Sequence, residues 1–424
     1  MIKKEILVSS LGNTIEWFDF GLFIFMAPIM GAQFFPETSS GNATIWALMV
    51  FAAGFLCRPL GGIFFGYFGD TRGRAKTLRM SILIITLSTF LVGIIPSYKE
   101  VGLLAPILFI FIRLIQGLSI GGEYSGIMIY LAESAAHNKR GLTTSLAAMG
   151  ANLGFLLATV TLMLLHLFLS EPIINDWAWR IPFLFIGLPG SLIIYYRFKL
   201  AETPIYSRLQ KKHQVESIPL IAAIQFAPAP LLKIFGLTCM GSTFYYVFFG
   251  YMPTYLKHYI GFSLSHVLII QSLMLIMMLM LVPLGGLCGD YFSRKKMLII
   301  TSMAIILFIL PCFYLIQSKS ILLTLFSLGT ATILSSFEQG NSLSAVVENC
   351  PENVRYSGIA FSYNLGNALF GGSAPLIVTL LIEKAGFITP AYYLILMAGM
   401  TLITATTLLN NNESLGPLIH PKRS

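Results

Sequence analysis

The sequence predicts an all-α integral membrane protein, with twelve transmembrane helices in two pseudo-symmetric six-helix halves. Three observations lead there. Apolar stretches of about 20 residues, long enough to cross a bilayer, recur twelve times. Charged residues make up 11% of the chain against 56% hydrophobic, where soluble domains carry about 25% charged residues. Finally, two motifs from the first half return in the second at nearly one offset, as a duplicated bundle would produce.

In chain order the expected spans are 6–31, 43–68, 78–96, 102–131, 141–169 and 180–198, then 232–256, 265–289, 297–316, 321–347, 356–382 and 390–409. The polar stretch 199–231, holding Arg208, Lys211, Lys212 and Glu216, reads as a linker between residues 1–198 and 232–410, with 411–424 as a short tail. Glu16 and Asp19 interrupt the first apolar run, so no cleavable signal is expected. The net charge of +9 invites a nucleic-acid partner, but the basic residues sit in short loops, as topology determinants do. With the N-terminus in the cytoplasm, 20 of the 27 Lys and Arg fall on that side, among them Lys3, Lys4, Arg197, Lys422 and Arg423. Five fall outside, and Arg58 and Arg113 remain in the membrane. Both termini are therefore expected in the cytoplasm, and no nucleic acid is expected as a partner. Cysteines 57, 239, 288, 312 and 350 show no metal or redox spacing. No metal or cofactor is expected.

The repeat has a mechanical reading. Gly66-x-x-Gly69-Asp70-x-x-x-Arg74 returns as Gly286-x-x-Gly289-Asp290-x-x-x-Arg294, 220 residues later. Glu123, Glu133 and Arg140 return as Glu338, Glu348 and Arg355 at an offset of 215. Glycines at this spacing let helices approach closely in lipid. An Asp ending a span can hold a neighbouring helix N-terminus or an arginine. Arg72, Arg74 and Arg294 supply cations on the same side of the membrane. The expected gating set is Gly66, Gly69, Asp70, Arg72, Arg74, Glu133, Arg140, Asp290, Arg294, Glu348 and Arg355. Such a charge lock would be made in one conformation and broken in another. The alternative, loops that only set orientation, is favoured for Lys76, Arg79, Lys295 and Lys296.

Gly66-Tyr-Phe-Gly-Asp-Thr-Arg-Gly-Arg74 resembles the loop signature of the major facilitator superfamily. The stretch Asn13 to Phe20, Arg58-Pro59-Leu60-Gly61-Gly62, Arg113-Leu-Ile-Gln-Gly117 and Gly121-Gly-Glu-Tyr124 resemble one branch, the metabolite–proton symporters. The similarity runs along essentially the whole chain, to Pro390-Ala-Tyr-Tyr393. It implies the major facilitator fold, proton-coupled uptake of a small polar metabolite by alternating access and a bacterial inner membrane; a monomer is expected. Tyr245-Tyr246 and Met252-Pro-Thr-Tyr255 are more similar to proline/betaine carriers, and Asn367-Ala-Leu-Phe-Gly-Gly-Ser373 to α-ketoglutarate and citrate carriers. The zwitterion is the slightly preferred substrate, the di- or tricarboxylate the alternative. The second loop copy has Ser293 where the first has Gly73, and a weaker second gate is expected. The osmosensing member of the branch carries a long coiled-coil tail, and regulation of that kind is not expected here.

The polar interior follows from the cost of charge in lipid. Carboxylates within a spanning helix persist only facing protein or a water-filled cavity, and Glu16 and Asp19, three residues apart, share one face with Asn13. Asp19 with Arg58 or Arg113 would supply the proton-binding acid and its competing cation, and Glu123, beside Gln116 and Tyr124, is a second acid. Arg113 and Glu123 stand about 15 Å apart along one helix and need partners elsewhere. By superfamily analogy helices one, four, seven and ten line the cavity, which would bring three of the acids Glu16, Asp19, Glu123 and Glu338 to its wall. Tyr245, Tyr246, Gln339 and Asn341 are the mid-depth polar or aromatic residues of the second half. There they would enclose a small substrate or quaternary ammonium by cation–π contact, or simply pack the core. Fixed ion pairs cementing the first half are the other role open to these charges. No nucleophile–base arrangement, metal spacing or cofactor fingerprint is present, so an enzyme is not expected. A transport-incompetent sensor with the same fold is the competing class.

Overall fold

The computed structural model describes residues 4–36, 40–408 and 416. Lys3, Lys422, Arg423 and most of the expected tail lie outside the described residues. Among the described residues, twelve helices are long and apolar enough to cross a membrane. In the first half they are α1 (Lys4–Phe34), α2 (Ser40–Thr71), α3 (Arg74–Ile94), α4 (Leu104–Ser134), α5 (Arg140–Phe168) and α6 (Arg180–Phe198). The second half holds α7 (Pro228–Ile260), α8 (Leu264–Phe292), α9 (Arg294–Gln317), α10 (Ile321–Glu348), α11 (Arg355–Ala385) and α12 (Thr389–Thr407). The all-α class and the number of spans agree with the expectation. The segment 199–231 is more ordered than its polarity suggests. It carries two short helices, Pro204–Lys211 and Pro219–Phe226, each opened by proline.

Helix ends follow backbone chemistry. Gly261 after α7 (φ 90°) and Gly386 after α11 (φ 98°) turn into conformations that a side chain disfavours, although open space surrounds both. Apolar side chains such as Leu56, Leu188, Leu307 and Phe326 cover the outside, as a helix surface facing lipid requires.

Lipid tails are as apolar as leucine, so helices in a bilayer associate through close packing. In the first half α1 packs on α5 and α2 on α4, and in the second α8 and α9 pack on α10. A Cβ on Gly117 would fall onto the backbone of Gly54, and one on Gly61 onto that of Leu118. Two seams join the halves, α2 against α11 and α5 against α8. In the second seam Gly141 and Gly286 meet backbone to backbone.

Two helices are locally irregular where they face the middle of the molecule. In α7, wide π-type turns cover Tyr246–Tyr251 and Leu256–Ile260. Pro253 lacks the N–H that would bond Phe249 O, and that carbonyl accepts Gln271 Nε2 at 2.9 Å instead. In α11 a similar turn covers Asn367–Gly372, just before Pro375, and Phe370 O accepts from Thr243 Oγ1 at 3.3 Å. Non-helical backbone is tolerated at this depth only when buried in protein or lining a cavity, and π-type turns are frequent at functional sites.

Candidate functional site

Two matching charge clusters close one face of the molecule. Asp70 at the end of α2 accepts the N–H groups of Tyr356 (3.0 Å) and Ser357 (2.8 Å), which open α11. Asp290 at the end of α8 accepts those of Gly141 (2.7 Å) and Leu142 (2.9 Å), which open α5. Each carboxylate thus sits on the positive end of a helix from the other half. Gly66 and Gly69 make this approach possible, since a Cβ on either would run into Ser357 or the Tyr356 ring. Arg74 pairs with Asp70 (3.2 Å) and Glu133 (3.4 Å), and Glu133 also pairs with Arg355 (3.2 Å). The second cluster repeats the pattern. Arg294 pairs with Asp290 (2.7 Å) and Glu348 (3.2 Å), and Arg140 stands 3.9 Å from Glu348.

One expectation about these clusters changes. Arg72 is exposed, its guanidinium 4.7 Å from the Phe68 ring centre, and takes no part. The second cluster keeps the corresponding pairs, with Arg140–Glu348 at 3.9 Å against 3.2 Å for Arg355–Glu133; Ser293 adopts φ 93° where Gly73 has φ 112°. A side chain at such an angle costs about 1–3 kcal/mol, so the turn is retained at the expense of strain. The linker reinforces the first cluster alone. Glu202 accepts the N–H groups of Arg74 (3.0 Å) and Ala75 (3.2 Å), and Thr203 Oγ1 donates to Glu133 at 2.6 Å.

Deeper in the first half, charges pair in two separate sets. Arg113 Nη1 donates to Asp19 Oδ2 at 2.8 Å, with its guanidinium 4.1 Å from the Phe23 ring centre. Glu123 is held by Arg197 through both oxygens (2.5 and 3.0 Å) and by Ser81 Oγ (2.5 Å). Arg197 is therefore no loop charge but a fully buried ion, and Gly12 on α1 leaves room for its guanidinium. This clasp removes Glu123 from the free acids. Gln116 donates to Thr89 Oγ1 (3.1 Å), on a void that Arg58 and Arg113 also line. Arg58 crosses to the other half, donating to Asn364 Oδ1 (3.2 Å) and Tyr246 Oη (3.4 Å). Glu16 is buried, and neither carboxyl oxygen has a hydrogen-bond partner among the described residues. Arg58, Glu123, Arg197 and Asp19 are the charges around it.

Between the halves lies a central cavity of about 30 Å³, room for one or two water molecules. Its wall is aromatic: Trp17, Tyr124, Tyr245, Tyr246 and Tyr363. Trp17 meets Tyr245 edge-on at 5.2 Å between centroids, and Tyr124 stacks on Tyr363 at 5.5 Å. Glu338, Gln339, Ser342 and Asn367 add polar groups. Of the four acids considered for this wall, only Glu338 lines it, because helix rotation turns Glu16, Asp19 and Glu123 elsewhere. Asn341 also faces away, donating to Gly285 O (3.0 Å) and Phe337 O (2.7 Å). Trp17, Tyr363, Asn364, Asn367 and Arg197 are site residues that the sequence pattern does not single out. The one advance signal for Arg197 was Gly12, whose missing side chain its guanidinium fills.

The family model for sugar (and other) transporters matches residues 6–225 and again 219–412. A proline/betaine transporter of Escherichia coli (strain K12) is 36% identical over 418 residues, covering 96% of this chain and 83% of that protein. The glycine betaine/proline/ectoine/pipecolic acid transporter OusA of Dickeya dadantii is 38% identical over 415 residues, covering 95% and 82%. Among solved structures, the proton:xylose symporter XylE bound to 6-bromo-6-deoxy-D-glucose aligns with a TM-score of 0.77 at 16% identity, over 97% of this chain and 96% of that one. That likeness carries the fold. The chain belongs to the sugar (and other) transporter family of the major facilitator superfamily and is a multi-pass membrane transporter.

Proposed function

We propose that this protein imports a small zwitterionic ammonium solute of the proline or betaine type, coupled to protons, by alternating access. It would act as a monomer in a bacterial inner membrane, with both termini in the cytoplasm. The observation that carries the reading is the central cavity, whose five aromatic rings come from both halves. Aromatic faces attract alkylammonium groups, and the relatives named above are proline and betaine transporters. A di- or tricarboxylate fits the same wall less well, since it would bring its charges against Glu338.

Alternating access is supported by what the two charge clusters join. Each ties a helix end of one half to a helix start of the other, so releasing both lets α2 leave α11 and α5 leave α8. A cavity this small also requires the halves to part before a solute enters. Proton coupling is supported by Asp19 and Glu16. Asp19 Oδ1 has no hydrogen-bond partner among the described residues, and protonating this carboxylate removes the charge that holds Arg113. Freed in this way, Arg113 changes partners, and the ion pair becomes a proton-dependent latch within the first half.

The test is uptake into proteoliposomes with an imposed pH gradient, using labelled proline, glycine betaine, α-ketoglutarate and citrate in parallel. Accumulation of proline or glycine betaine driven by the gradient is expected. Accumulation of a carboxylate alone would replace the substrate class. Uptake indifferent to the gradient would remove proton coupling, and folded protein that moves none of the four would favour the sensor.

A further inference from the structure

Among the described residues, the wall of the central cavity carries one acidic side chain. No Lys, Arg or His lines it, and Glu338 projects into it from α10. The glutamate is almost completely buried, with Oε1 lacking a hydrogen-bond partner among the described residues. Space is kept beside it: Gly241 on α7 faces the carboxylate, and a Cβ there would stand 3.1 Å from Oε2. The two arginines of the first half that come nearest the middle open instead onto a separate small void with Gln116. Arg58 reaches the central cavity only through the hydroxyl of Tyr246.

We infer that Glu338 is the counter-ion for the substrate's ammonium group, so that the carrier accepts quaternary ammonium cations lacking a carboxylate as well as zwitterions. This rests on the ammonium-solute reading above and deepens it. An ammonium bound among Trp17, Tyr245 and Tyr246 gains cation–π attraction from their faces and direct charge pairing from Glu338, which burial leaves unscreened by water. The ligand supplies the missing partner of the carboxylate. A substrate carboxylate meets only the Tyr246 hydroxyl with Arg58 behind it, so the site requires the cation and merely tolerates the anion. Charge recognition then depends on one residue. A neutral amide in its place keeps the shape of the wall and loses the attraction for a bare cation most severely, because a zwitterion retains its own internal charge pairing.

The experiment compares labelled choline with labelled glycine betaine in proteoliposomes of the wild type, Glu338→Gln and Glu338→Asp. Expected are choline uptake by the wild type, mutual competition between the two solutes, and a choline rate about tenfold or more lower in Glu338→Gln. Glycine betaine should fall less than choline, and Glu338→Asp should restore part of the choline rate. Glycine betaine accumulation without choline uptake or competition would overturn the inference and leave the substrate reading intact. Equal loss of both solutes in Glu338→Gln, or loss of the response to the pH gradient with the choline-to-betaine ratio unchanged, would also overturn it. Should the variants not fold, choline titration of wild-type tryptophan fluorescence, with Trp17→Phe as the control, decides the matter. A saturable change that the control lacks supports the site, and its absence at millimolar choline overturns it.

Discussion

Asp70 of the first half holds Tyr356 of the second: its carboxylate accepts the Tyr356 N–H at 3.0 Å and, through the other oxygen, that of Ser357 at 2.8 Å. Asp290 does the same for Gly141 and Leu142. Two acids in matching positions thus close both seams between the halves.

Replacing Asp70 with Asn keeps one acceptor, presents an NH2 group to the other N–H and removes the charge facing Arg74. Lost charge-assisted bonds of this kind weigh about 1.5–3 kcal/mol each. The closed state should therefore lose population, and the uptake rate at saturating substrate should change by about tenfold. Asp290→Asn should act in the same direction, and the double variant more strongly than either. Initial rates in proteoliposomes measure this.

Cys350 offers a reporter of the same closure. It lies between α10 and α11, fully buried, with its carbonyl accepting from Arg355 Nε at 3.1 Å. Burial pushes its thiol up to about 12, so little of it is ionised near neutral pH. Because the thiolate is the reactive form, alkylation should be slow and should rise with pH. In a chain with Cys57 and Cys288 changed to Ser, Asp70→Asn should label faster at Cys350 than its parent. Equal rates would mean that this corner stays closed without the aspartate.

Asp19→Asn tests the latch. The amide cannot gain or lose a proton, and Arg113 loses its ionic partner at 2.8 Å. Accumulation against a gradient should vanish, whereas exchange of labelled for unlabelled solute should persist. Flux measured with and without the pH gradient separates the two.

Glu123 is expected to behave differently, because its clasp with Arg197 is closed and buried. Glu123→Gln strands a buried guanidinium, a change that costs about 3–5 kcal/mol. The melting temperature in detergent should fall, and a second change, Arg197→Met, should recover much of the loss. A stability drop that Arg197→Met leaves uncorrected would show that Glu123 acts through other partners.

How much of this was legible beforehand depended on the kind of residue. The spans could be read off the chain because each depends on a local run of apolar side chains. The gating acids Asp70, Asp290, Glu133 and Glu348 were legible because duplication repeats them at fixed spacing. Glu16, Asp19, Arg58 and Arg113 stood out because charge is costly in lipid. Their partners did not. Arg197 reads as one more basic residue at a helix end, yet it neutralises Glu123.

The membrane class, the twelve spans, the repeated motifs and the residues too polar to face lipid are written in the order of residues along the chain. These are consequences of composition and periodicity, which act over neighbouring residues. That Asp19 meets Arg113, that Glu123 meets Arg197, and that Glu338 is the one of the four buried acids facing the central cavity follow from how the helices pack. The reason is rotational: turning a helix by 100° about its axis moves each residue's direction on to that of its neighbour. Which face meets the cavity is therefore settled by close packing at glycines such as Gly54, Gly117, Gly141 and Gly286, distant from one another in the chain.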